Sequence, residues 1–545
     1  MTASQAPGQV RDAAAFAAEP VYQALEETAA RFPQHPALYF EGVRLSYADF
    51  HRLVNRAARG FQDLGVKPGV HVGLFLGNTP HYAIAFLGVL RAGGTVVNYS
   101  PLDAERTLAH KIEDSHSDIM VTLDVPELLP RIRGFLETSR LRTLVVGSPT
   151  DFAGAGATSD TMEAVILSFA DLLNNDGDFQ PYPVADPENT LAVLQYTGGT
   201  TGVPKGAELT HGNLTCGCQQ LMAALAGDLQ TGQERVLAVL PPFHIYSMTV
   251  NLLFGIRLAA ELYLHSRFDP DAVLKAVHEH RLSVLPAVPT MFIALIHHPQ
   301  VGEYDLTSLR LCNSGGAPLP VEVQQRFQEL TGCRLGEGWG MTETTAVGTY
   351  TPLTGERPPQ GSCGCLVPGV SMKIAPMDAE GSLAAGERGE ICVAGPNVMP
   401  RYWNNPDATT ASFTEDGYFR TGDVGYMDQR GYVYIVDRTK DMILCSGYNV
   451  YPRVIEEAIY EHPDVEEVSV IGVKDSYRGQ SPMAFVRLRQ SGASLTLESL
   501  QDFLADRLGK HEMVRALALR DELPKTPVGK LSKKELYDET ASFSL

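Results

Sequence analysis

The sequence predicts an α/β fold in which a large N-terminal domain of mostly parallel, layered sheets with helices precedes a small, mobile α+β C-terminal domain. Short apolar runs alternate with amphipathic stretches over roughly the first four hundred residues, which is typical of βα units. The chain of 545 residues is longer than one hydrophobic core usually supports. The pattern changes near residue 440, so we predict domains at 1–439 and 440–545.

Buried strands are predicted in the N-terminal domain wherever a short apolar run is bounded by polar residues. Such runs occur at 72–76, 94–97, 191–194, 236–240 and 283–285.

One N-terminal helix is specified in detail. Ser46 is the predicted cap and Asp49 lies in the first turn. Apolar residues then recur at three- or four-residue steps from Tyr47 to Leu64, and Gly65 ends the pattern.

The C-terminal segment has its own secondary structure. Strands are predicted at 468–473 and 483–488, and helices at 454–460 and 497–508, which is enough for a small α+β domain. The charged stretch 437–441 lies between two apolar runs and is the predicted linker.

Composition limits the classes of partner. Hydrophobic residues make up 44% and charged residues 20% of the chain, as in ordinary globular proteins. The formal net charge of −20 opposes binding to nucleic acid. The longest apolar stretches are interrupted by charges, so no transmembrane segment is predicted. Eight sparse cysteines favour free thiols and a cytoplasmic location. The sequence leaves open whether the protein attaches peripherally to the inner membrane face and whether it forms a homodimer.

The segment 196–206, with the sequence YTGGTTGVPKG, combines three kinds of phosphate-binding chemistry. Its glycines allow backbone N–H groups to form an anion nest, its threonine hydroxyls are additional donors, and Lys205 adds a positive charge. An ordinary glycine-rich connector would need neither the threonines nor the lysine. The sequence therefore predicts a nucleoside-triphosphate site at the end of the strand 191–194. The predicted contacts are Thr197, Gly198, Gly199, Thr200, Thr201, Gly202 and Lys205.

A Walker-type P-loop does not fit this segment. That motif requires a glycine, four residues, and then Gly-Lys-Ser/Thr. Five positions after Gly198 and Gly199 stand Val203 and Pro204, and Lys205 is followed by a glycine.

Further motifs follow the phosphate segment in a fixed order. They are GWGMTET at 338–344, YFRTGD at 418–423, DRTKDMI at 437–443 and PKTPVGK at 524–530. With 196–206, they make the chain resemble the adenylate-forming enzymes, the superfamily of acyl-CoA synthetases, luciferases and peptide-synthetase adenylation domains. The resemblance implies that ATP, Mg²⁺ and coenzyme A are used.

The motif at 338–344 is similar to the adenine and magnesium motif of this superfamily. Glu343 would then contact Mg²⁺, with Gly340 and Thr342 in the same nucleotide-binding turn. Trp339 stands where the family usually has a tyrosine against adenine. The alternatives are a helix-capping role for Glu343 and core packing for Trp339.

Two further residues are similar to the ribose contacts of the family. Asp423 lies in a Thr-Gly-Asp turn, where its carboxylate can accept both ribose hydroxyls, and Arg438 would be the second ribose or phosphate contact. Self-capping of the turn is the alternative for Asp423.

The C-terminal motifs imply the catalytic lysine and a domain rotation. Lys530 would bridge the substrate carboxylate and the α-phosphate as a positioned charge that needs no pKa shift. A solvated basic patch with Lys533 and Lys534 is the alternative. Lys440 would be the hinge, and Gly447 would let the pantetheine arm of coenzyme A pass.

The segment 241–246, PPFHIY, resembles the acyl-pocket segment of the family. His244 would border the reacting carboxylate, and a satisfied core histidine is the alternative. Amino-acid-adenylating relatives have an aspartate where His244 stands, so an amino-acid substrate is disfavoured.

The predicted acyl pocket is apolar and narrow. Tyr246 and Met248 would line it beside the small residues Gly315 and Gly316. The later segments most resemble bacterial long-chain fatty acid–CoA ligases, which favours a fatty acid as the small-molecule carboxylic acid. An ω-carboxylated or aryl acid is the alternative substrate.

Three functions are compatible with a nucleotide site of this kind: an acyl-CoA ligase, an adenylation module that loads a carrier protein, and an inactive nucleotide-binding scaffold. The scaffold is disfavoured because the motif residues are all present: Lys205, Glu343, Asp423, Lys440 and Lys530. Retention of Gly447 favours the ligase over the carrier-loading module.

Overall fold

The computed structural model describes residues 16–152, 166–197, 204–353, 357–377, 381–446, 448–490, 494–526 and 529–545. The strands are β1 (Pro36–Phe40), β2 (Val43–Ser46), β3 (His71–Leu74), β4 (Thr95–Asn98), β5 (Ser117–Leu123), β6 (Thr143–Gly147), β7 (Ile166–Ser168), β8 (Leu191–Thr197), β9 (Lys205–Thr210), β10 (Arg235–Ala238), β11 (Glu261–Leu264), β12 (Val284–Ala287), β13 (Leu311–Gly315), β14 (Leu335–Gly338), β15 (Thr349–Tyr350), β16 (Cys365–Leu366), β17 (Ser371–Ala375), β18 (Gly389–Ala394), β19 (Phe419–Met427), β20 (Val433–Arg438), β21 (Ile443–Cys445), β22 (Tyr448–Val450), β23 (Val465–Asp475), β24 (Gly479–Leu488) and β25 (Ala516–Leu519).

The α-helices lie between these strands. They are α1 (Gln23–Arg31), α2 (Tyr47–Asp63), α3 (Pro80–Arg91), α4 (Glu105–Asp114), α5 (Leu129–Arg133), α6 (Phe135–Thr138), α7 (Phe169–Leu172), α8 (His211–Ala224), α9 (Phe254–Arg257), α10 (Pro270–His280), α11 (Pro289–Ile296), α12 (Val321–Thr331), α13 (Pro406–Ala411), α14 (Pro452–Tyr460), α15 (Leu497–Leu504) and α16 (Lys534–Glu539). A π-helix spans Ser247–Leu253, and 3₁₀ turns span Val301–Glu303, Thr342–Thr344 and Thr439–Asp441.

Two seven-stranded sheets form the body of the N-terminal part. Their strand orders are β14-β13-β12-β10-β11-β1-β2 and β7-β6-β5-β3-β4-β8-β9. Neighbouring strands are parallel except at one edge of each sheet, where β1 pairs with β2 and β8 with β9 in antiparallel register. Every residue of β3 and β4 is buried, as expected for strands with helices on both faces. The predicted α/β fold class is therefore confirmed.

Within the described residues, three smaller sheets follow along the chain. The four-stranded antiparallel sheet has the order β17-β18-β19-β20, and β15 pairs with β16. The last sheet contains β22-β21-β24-β23, with β25 paired parallel to β24. Its strands all lie between residues 443 and 519.

The predicted local elements compare closely with the structure. Helix α2 begins after Ser46, whose side chain accepts the N–H of Asp49 in a capping box, and Gly65 follows with φ +89°. The predicted C-terminal strand pair is present as β23 and β24. The predicted helix at 497–508 is shorter, because α15 ends at Leu504. No helix in the described ranges is long and apolar enough to cross a bilayer.

Candidate active site

The phosphate segment forms a hairpin between β8 and β9. Thr197, the last residue of β8, is opposite Lys205, the first residue of β9. The predicted contacts Gly198, Gly199, Thr200, Thr201 and Gly202 lie outside the described residues. The two described residues, Thr197 and Lys205, therefore lie side by side at the end of the largely buried strand β8.

Tyr402 joins this hairpin to the predicted metal site, and the sequence analysis missed it. Its backbone forms a bridge with Ala207 of β9, and its ring centroid lies 5.1 Å from the Lys205 Nζ. Its hydroxyl donates a hydrogen bond of 2.8 Å to Glu343 Oε1. Tyr402 occurs outside the recognised motifs, and only the fold brings its partners together.

Glu343 lies in the middle of the 3₁₀ turn Thr342–Thr344 and is buried, with 6% of its surface exposed. Burial raises the pKa of Glu343, and the hydrogen bond from Tyr402 acts in the opposite direction. In the part of the chain that the structure describes, there is no cluster of three or more potential metal-ligating side chains. A single carboxylate at this position is compatible with the predicted Mg²⁺ contact, because Mg²⁺ usually combines one or two carboxylates with water and substrate phosphates.

Close backbone packing fixes the turn that precedes Glu343. A Cβ atom on Gly340 would lie 2.4 Å from the carbonyl carbon and oxygen of Ala346. Thr345 and Ala346 both have positive φ, at +53° and +64°. Only glycine at position 340 is compatible with this fold of the chain.

Trp339, Asp423 and Arg438 form one connected group. The Trp339 indole Nε1–H donates to Asp423 Oδ2 at 2.7 Å, and Arg438 Nε lies 3.0 Å from Asp423 Oδ1. Asp423 and Arg438 are opposite each other on β19 and β20. The sequence predicted all three residues at the nucleotide site but not the bond from the indole to the carboxylate.

Lys530 reaches this group from the C-terminal part of the chain. A Cβ on Gly316 would lie 2.4 Å from Lys530 Cε and 2.6 Å from its Nζ, so the lysine side chain rests directly on the glycine backbone. Gly316 also has φ +79°, which favours glycine. The Lys530 backbone is held by a hydrogen bond from its N–H to Thr526 Oγ1 at 3.1 Å.

The pKa of Lys530 is shifted. Burial, followed by the positive charge of Arg438, lowers it to about 8, and Asp423 acts in the opposite direction. The predicted role of Lys530 as a positioned charge needs no pKa shift, and it stays a prediction. The ammonium remains mostly protonated at pH 7, so its predicted role as a positioned charge is retained.

His244 is held as a neutral imidazole. Burial and the nearby charge of Lys530 lower its pKa to about 3. Its Nδ1 accepts the backbone N–H of Tyr246 at 3.2 Å. The imidazole proton is therefore assigned to Nε2, which leaves one N–H free to donate to a substrate carboxylate.

Tyr246 and Gly315 face each other in the predicted acyl pocket. A Cβ on Gly315 would lie 3.0 Å from the Tyr246 ring. The Tyr246 hydroxyl donates to the Asn313 backbone carbonyl at 3.0 Å and accepts from Asn313 Nδ2 at 2.9 Å. The ring is thus fixed along the end of β13.

Met248 is fully buried in the π-helix, but its surroundings include polar groups that the sequence did not predict. Asn98 Nδ2 donates to Met248 Sδ at 3.4 Å and to Gln195 Oε1 at 2.8 Å. Gln195 Nε2 in turn donates to the Phe243 carbonyl. These amides hold β4, β8 and the pocket segment together.

The hinge and thiol-path predictions are not tested by this geometry. Lys440 is exposed in the 3₁₀ turn Thr439–Asp441. Gly447 lies outside the described residues. Its neighbour Tyr448 on β22 is 60% exposed, as is Leu444 at 54% on β21.

Family models match most of this architecture. One described as "AMP-binding enzyme" matches residues 25–403, and one described as "AMP-binding enzyme C-terminal domain" matches 454–530. This chain belongs to the AMP-binding enzyme family. The match covers the hairpin with Lys205, the turn with Glu343 and, in the second region, Lys530.

Curated relatives of this AMP-binding enzyme extend over nearly its whole length. It is 39% identical to a long-chain-fatty-acid–CoA ligase of Bacillus subtilis (strain 168), with 94% of this chain and 93% of the relative covered. A long-chain-fatty-acid–CoA ligase of Escherichia coli O157:H7 is 35% identical, with 95% of both chains covered. The 4-coumarate–CoA ligase 5 of Oryza sativa subsp. japonica is 32% identical, with 92% and 90% covered.

Solved structures are similar to this AMP-binding enzyme throughout. The ATP-bound MatB of Rhodopseudomonas palustris has a TM-score of 0.84 at 28% identity, with 95% of this chain and 98% of MatB covered. The ATP-bound RpMatB-BxBclM chimera B1 has a TM-score of 0.85 at 29% identity, with 96% and 99% covered.

Proposed function

We propose that this AMP-binding enzyme is an ATP-dependent fatty acid–CoA ligase. A carboxylate oxygen attacks the α-phosphorus of ATP, the bond to pyrophosphate breaks, and an acyl adenylate forms. The thiol of coenzyme A then attacks the acyl carbonyl, the bond to AMP breaks, and the thiol proton passes to solvent. The observation that carries this proposal is the position of the Lys530 ammonium, which lies on Gly316 and within the electrostatic influence of Asp423 and Arg438.

Lys530 offsets the repulsion between two anionic reactants in the first step. Its ammonium lies close enough to Asp423 and Arg438 for their charges to act on its pKa, and its charge also acts on His244. A carboxylate placed between Lys530 and the His244 Nε2–H would face two donors, and the α-phosphate would share the ammonium. Fixed donors of this kind stabilise developing negative charge without reorganisation during the reaction.

The phosphate end of ATP is assigned to Lys205 and Thr197, and the ribose to Asp423 and Arg438. Lys205 is fixed over the Tyr402 ring, so its charge lies at the mouth of the hairpin loop. Glu343 is the residue that would hold Mg²⁺. When bound, this ion would neutralise charge on the phosphates of ATP.

The second step requires the path to the acyl carbonyl to open. Lys530 lies within the site, whereas Leu444 and Tyr448 on the β21–β22 hairpin are exposed. Rotation of residues 440–545 about Lys440 would withdraw Lys530 and bring this hairpin to the site, with Gly447 beside the thiol path. The structure would then correspond to the adenylation arrangement.

A fatty acid fits the pocket better than an ω-carboxylated acid. The wall at Tyr246, Met248 and Gly315 is buried and carries no described charge. Arg257, which follows the pocket segment in the chain, is already paired with Glu19 at 2.7 Å. Because the described residues of this wall carry no charge, a second carboxylate would be buried beside them without a charged partner, which costs several kcal/mol.

The test is pyrophosphate release with a panel of acids, measured with and without coenzyme A. Each buried methylene contributes up to about 0.8 kcal/mol, so kcat/KM should rise roughly threefold per methylene until the pocket is full. Without coenzyme A, pyrophosphate release should stop near one equivalent per enzyme molecule. Addition of coenzyme A should restore turnover. If kcat/KM is higher for dicarboxylates of equal length, or for an aryl acid, then that acid is the substrate and the fatty acid is not.

The location and the assembly state are further proposals. All eight cysteines are buried free thiols, which supports a cytoplasmic location. Peripheral attachment to the inner membrane face is tested by flotation with vesicles. A homodimer is tested by light scattering in solution.

A further inference from the structure

We infer that Trp339 is a positioning residue for the ribose of ATP, and that its indole N–H orients the Asp423 carboxylate toward the ribose hydroxyls. The inference rests on the proposed function, because Asp423 has a ribose to bind only if ATP is the substrate. This role of Trp339 is separate from stacking on adenine, which needs an aromatic face but no N–H group.

The two oxygens of Asp423 are each held by a different partner. Oδ2 accepts the Trp339 Nε1–H at 2.7 Å, and Oδ1 lies 3.0 Å from Arg438 Nε. A carboxylate oxygen has two lone pairs, so each oxygen retains one acceptor site. The two contacts stop rotation of the carboxylate and leave two fixed acceptor sites, which is the number that adjacent ribose hydroxyls require.

The indole ring is itself fixed. The Trp339 backbone N–H donates to Thr349 Oγ1 at 2.9 Å. A Cβ on Gly348 would lie 2.6 Å from the indole Cε3 and Cζ3, so the six-membered ring packs directly on that glycine backbone. Only 9% of Trp339 is exposed. These contacts therefore direct the pyrrole edge at Asp423 without any contribution from ATP.

The contact from Trp339 is the more buried of the two. Asp423 is 3% exposed, so its charge lies where hydrogen bonds are least screened. The Arg438 side chain is 50% exposed, and it is long and flexible. Loss of the indole N–H would leave the carboxylate oriented by Arg438 alone. Phenylalanine keeps an aromatic face for adenine but has no donor at the position of Nε1.

The test compares Trp339→Phe with wild type using ATP, 2′-deoxy-ATP and 3′-deoxy-ATP in fatty-acid-dependent pyrophosphate exchange. Wild type should prefer ATP over each deoxynucleotide. In Trp339→Phe, this preference in kcat/KM should fall by roughly tenfold. The reason is that the Asp423 carboxylate loses the charged-group hydrogen bond that orients it toward the ribose hydroxyls. In an Asp423→Ala background, the same substitution should leave the preference unchanged.

The outcomes separate this inference from the proposed function. If wild type shows no exchange with any fatty acid, the proposed function fails. If wild type is active but Trp339→Phe lowers the use of all three nucleotides by the same factor, Trp339 only stacks or packs and the inference is overturned. Equal melting temperatures of wild type and variant exclude a folding defect as the cause of a changed ratio.

Discussion

At the residue scale, the side chain of Tyr402 makes two separate contacts. Its hydroxyl holds Glu343 Oε1 at 2.8 Å, and its ring lies under the Lys205 ammonium at 5.1 Å. These contacts couple the residue proposed to hold Mg²⁺ to the residue proposed to hold the phosphates. Deleting either contact should therefore affect a different property of the enzyme.

Tyr402→Phe should raise the Mg²⁺ concentration that gives half-maximal pyrophosphate exchange by roughly tenfold, because the Glu343 carboxylate loses a hydrogen bond that orients it. The KM for ATP at saturating Mg²⁺ should change little, since the ring over Lys205 is kept. Tyr402→Leu removes the ring as well and should raise both values. An unchanged Mg²⁺ dependence in Tyr402→Phe would contradict this role.

The pH profile of adenylation should report the protonation of Lys530. Its pKa is lowered to about 8, so the charged form predominates below this pH and is lost above it. We expect kcat/KM for adenylation to fall as pH rises through about 8. Bound anionic substrates favour the ammonium, so the decline in kcat should lie at higher pH. The same decline in the conversion of supplied acyl adenylate to acyl-CoA would argue against Lys530 as its cause.

At the element scale, the end of β13 contributes two glycines to the predicted acyl pocket. Gly315 permits the Tyr246 ring to lie against the strand, and Gly316 permits Lys530 to reach the site. The sequence predicted both glycines as pocket residues from their small size. It did not predict that Gly316 contacts Lys530, because that contact joins segments more than two hundred residues apart.

Gly315→Ala should narrow the pocket. The new Cβ would lie 3.0 Å from the Tyr246 ring, which is tied to Asn313 and has little freedom to move. We expect kcat/KM for long acids to fall roughly five- to tenfold, and that for short acids to fall less. Gly134→Ala is the matched control, because its Cβ would meet nothing within 4 Å and its φ is −61°. Equal losses for all chain lengths would show that Gly315 does not shape the acyl pocket.

The sequence predicts the secondary-structure elements better than the contacts within the site, and the reason is physical. Strands and capped helices such as α2 follow from local periodicity, and the motif residues follow from their resemblance to the adenylate-forming enzymes. Three features depend instead on long-range packing: the bond from Trp339 to Asp423, the position of Tyr402 and the lowered pKa of Lys530. No local pattern encodes such contacts.

At the scale of the whole molecule, a buried charge pair joins the two parts of the chain. Arg453 at the start of α14 lies 3.9 Å from Glu337 of β14, and its backbone N–H donates to Asp437 at 2.9 Å. Burial raises the pKa of Glu337 to about 7, while Arg453 acts in the opposite direction. This pair forms in the arrangement that places Lys530 in the site.

Arg453→Met should disfavour that arrangement, because Glu337 would be left buried without its cation. We expect adenylation to slow by roughly tenfold, with the conversion of supplied acyl adenylate to acyl-CoA nearly unchanged. Arg487→Met is the control, since Arg487 pairs with Glu466 and Glu467 on its own sheet. Equal effects of the two substitutions would show that the Glu337 pair does not set the domain arrangement.

The most direct test measures both half-reactions in Lys530→Ala, with Lys534→Ala as the control at an exposed lysine nearby. Lys530→Ala should lose fatty-acid-dependent pyrophosphate exchange by at least about a hundredfold, because the charge that joins carboxylate and α-phosphate is gone. It should still convert supplied acyl adenylate and coenzyme A to acyl-CoA at a rate close to wild type. Equal loss of both half-reactions, or exchange at the wild-type rate, would contradict the proposed role of Lys530 and with it the central claim.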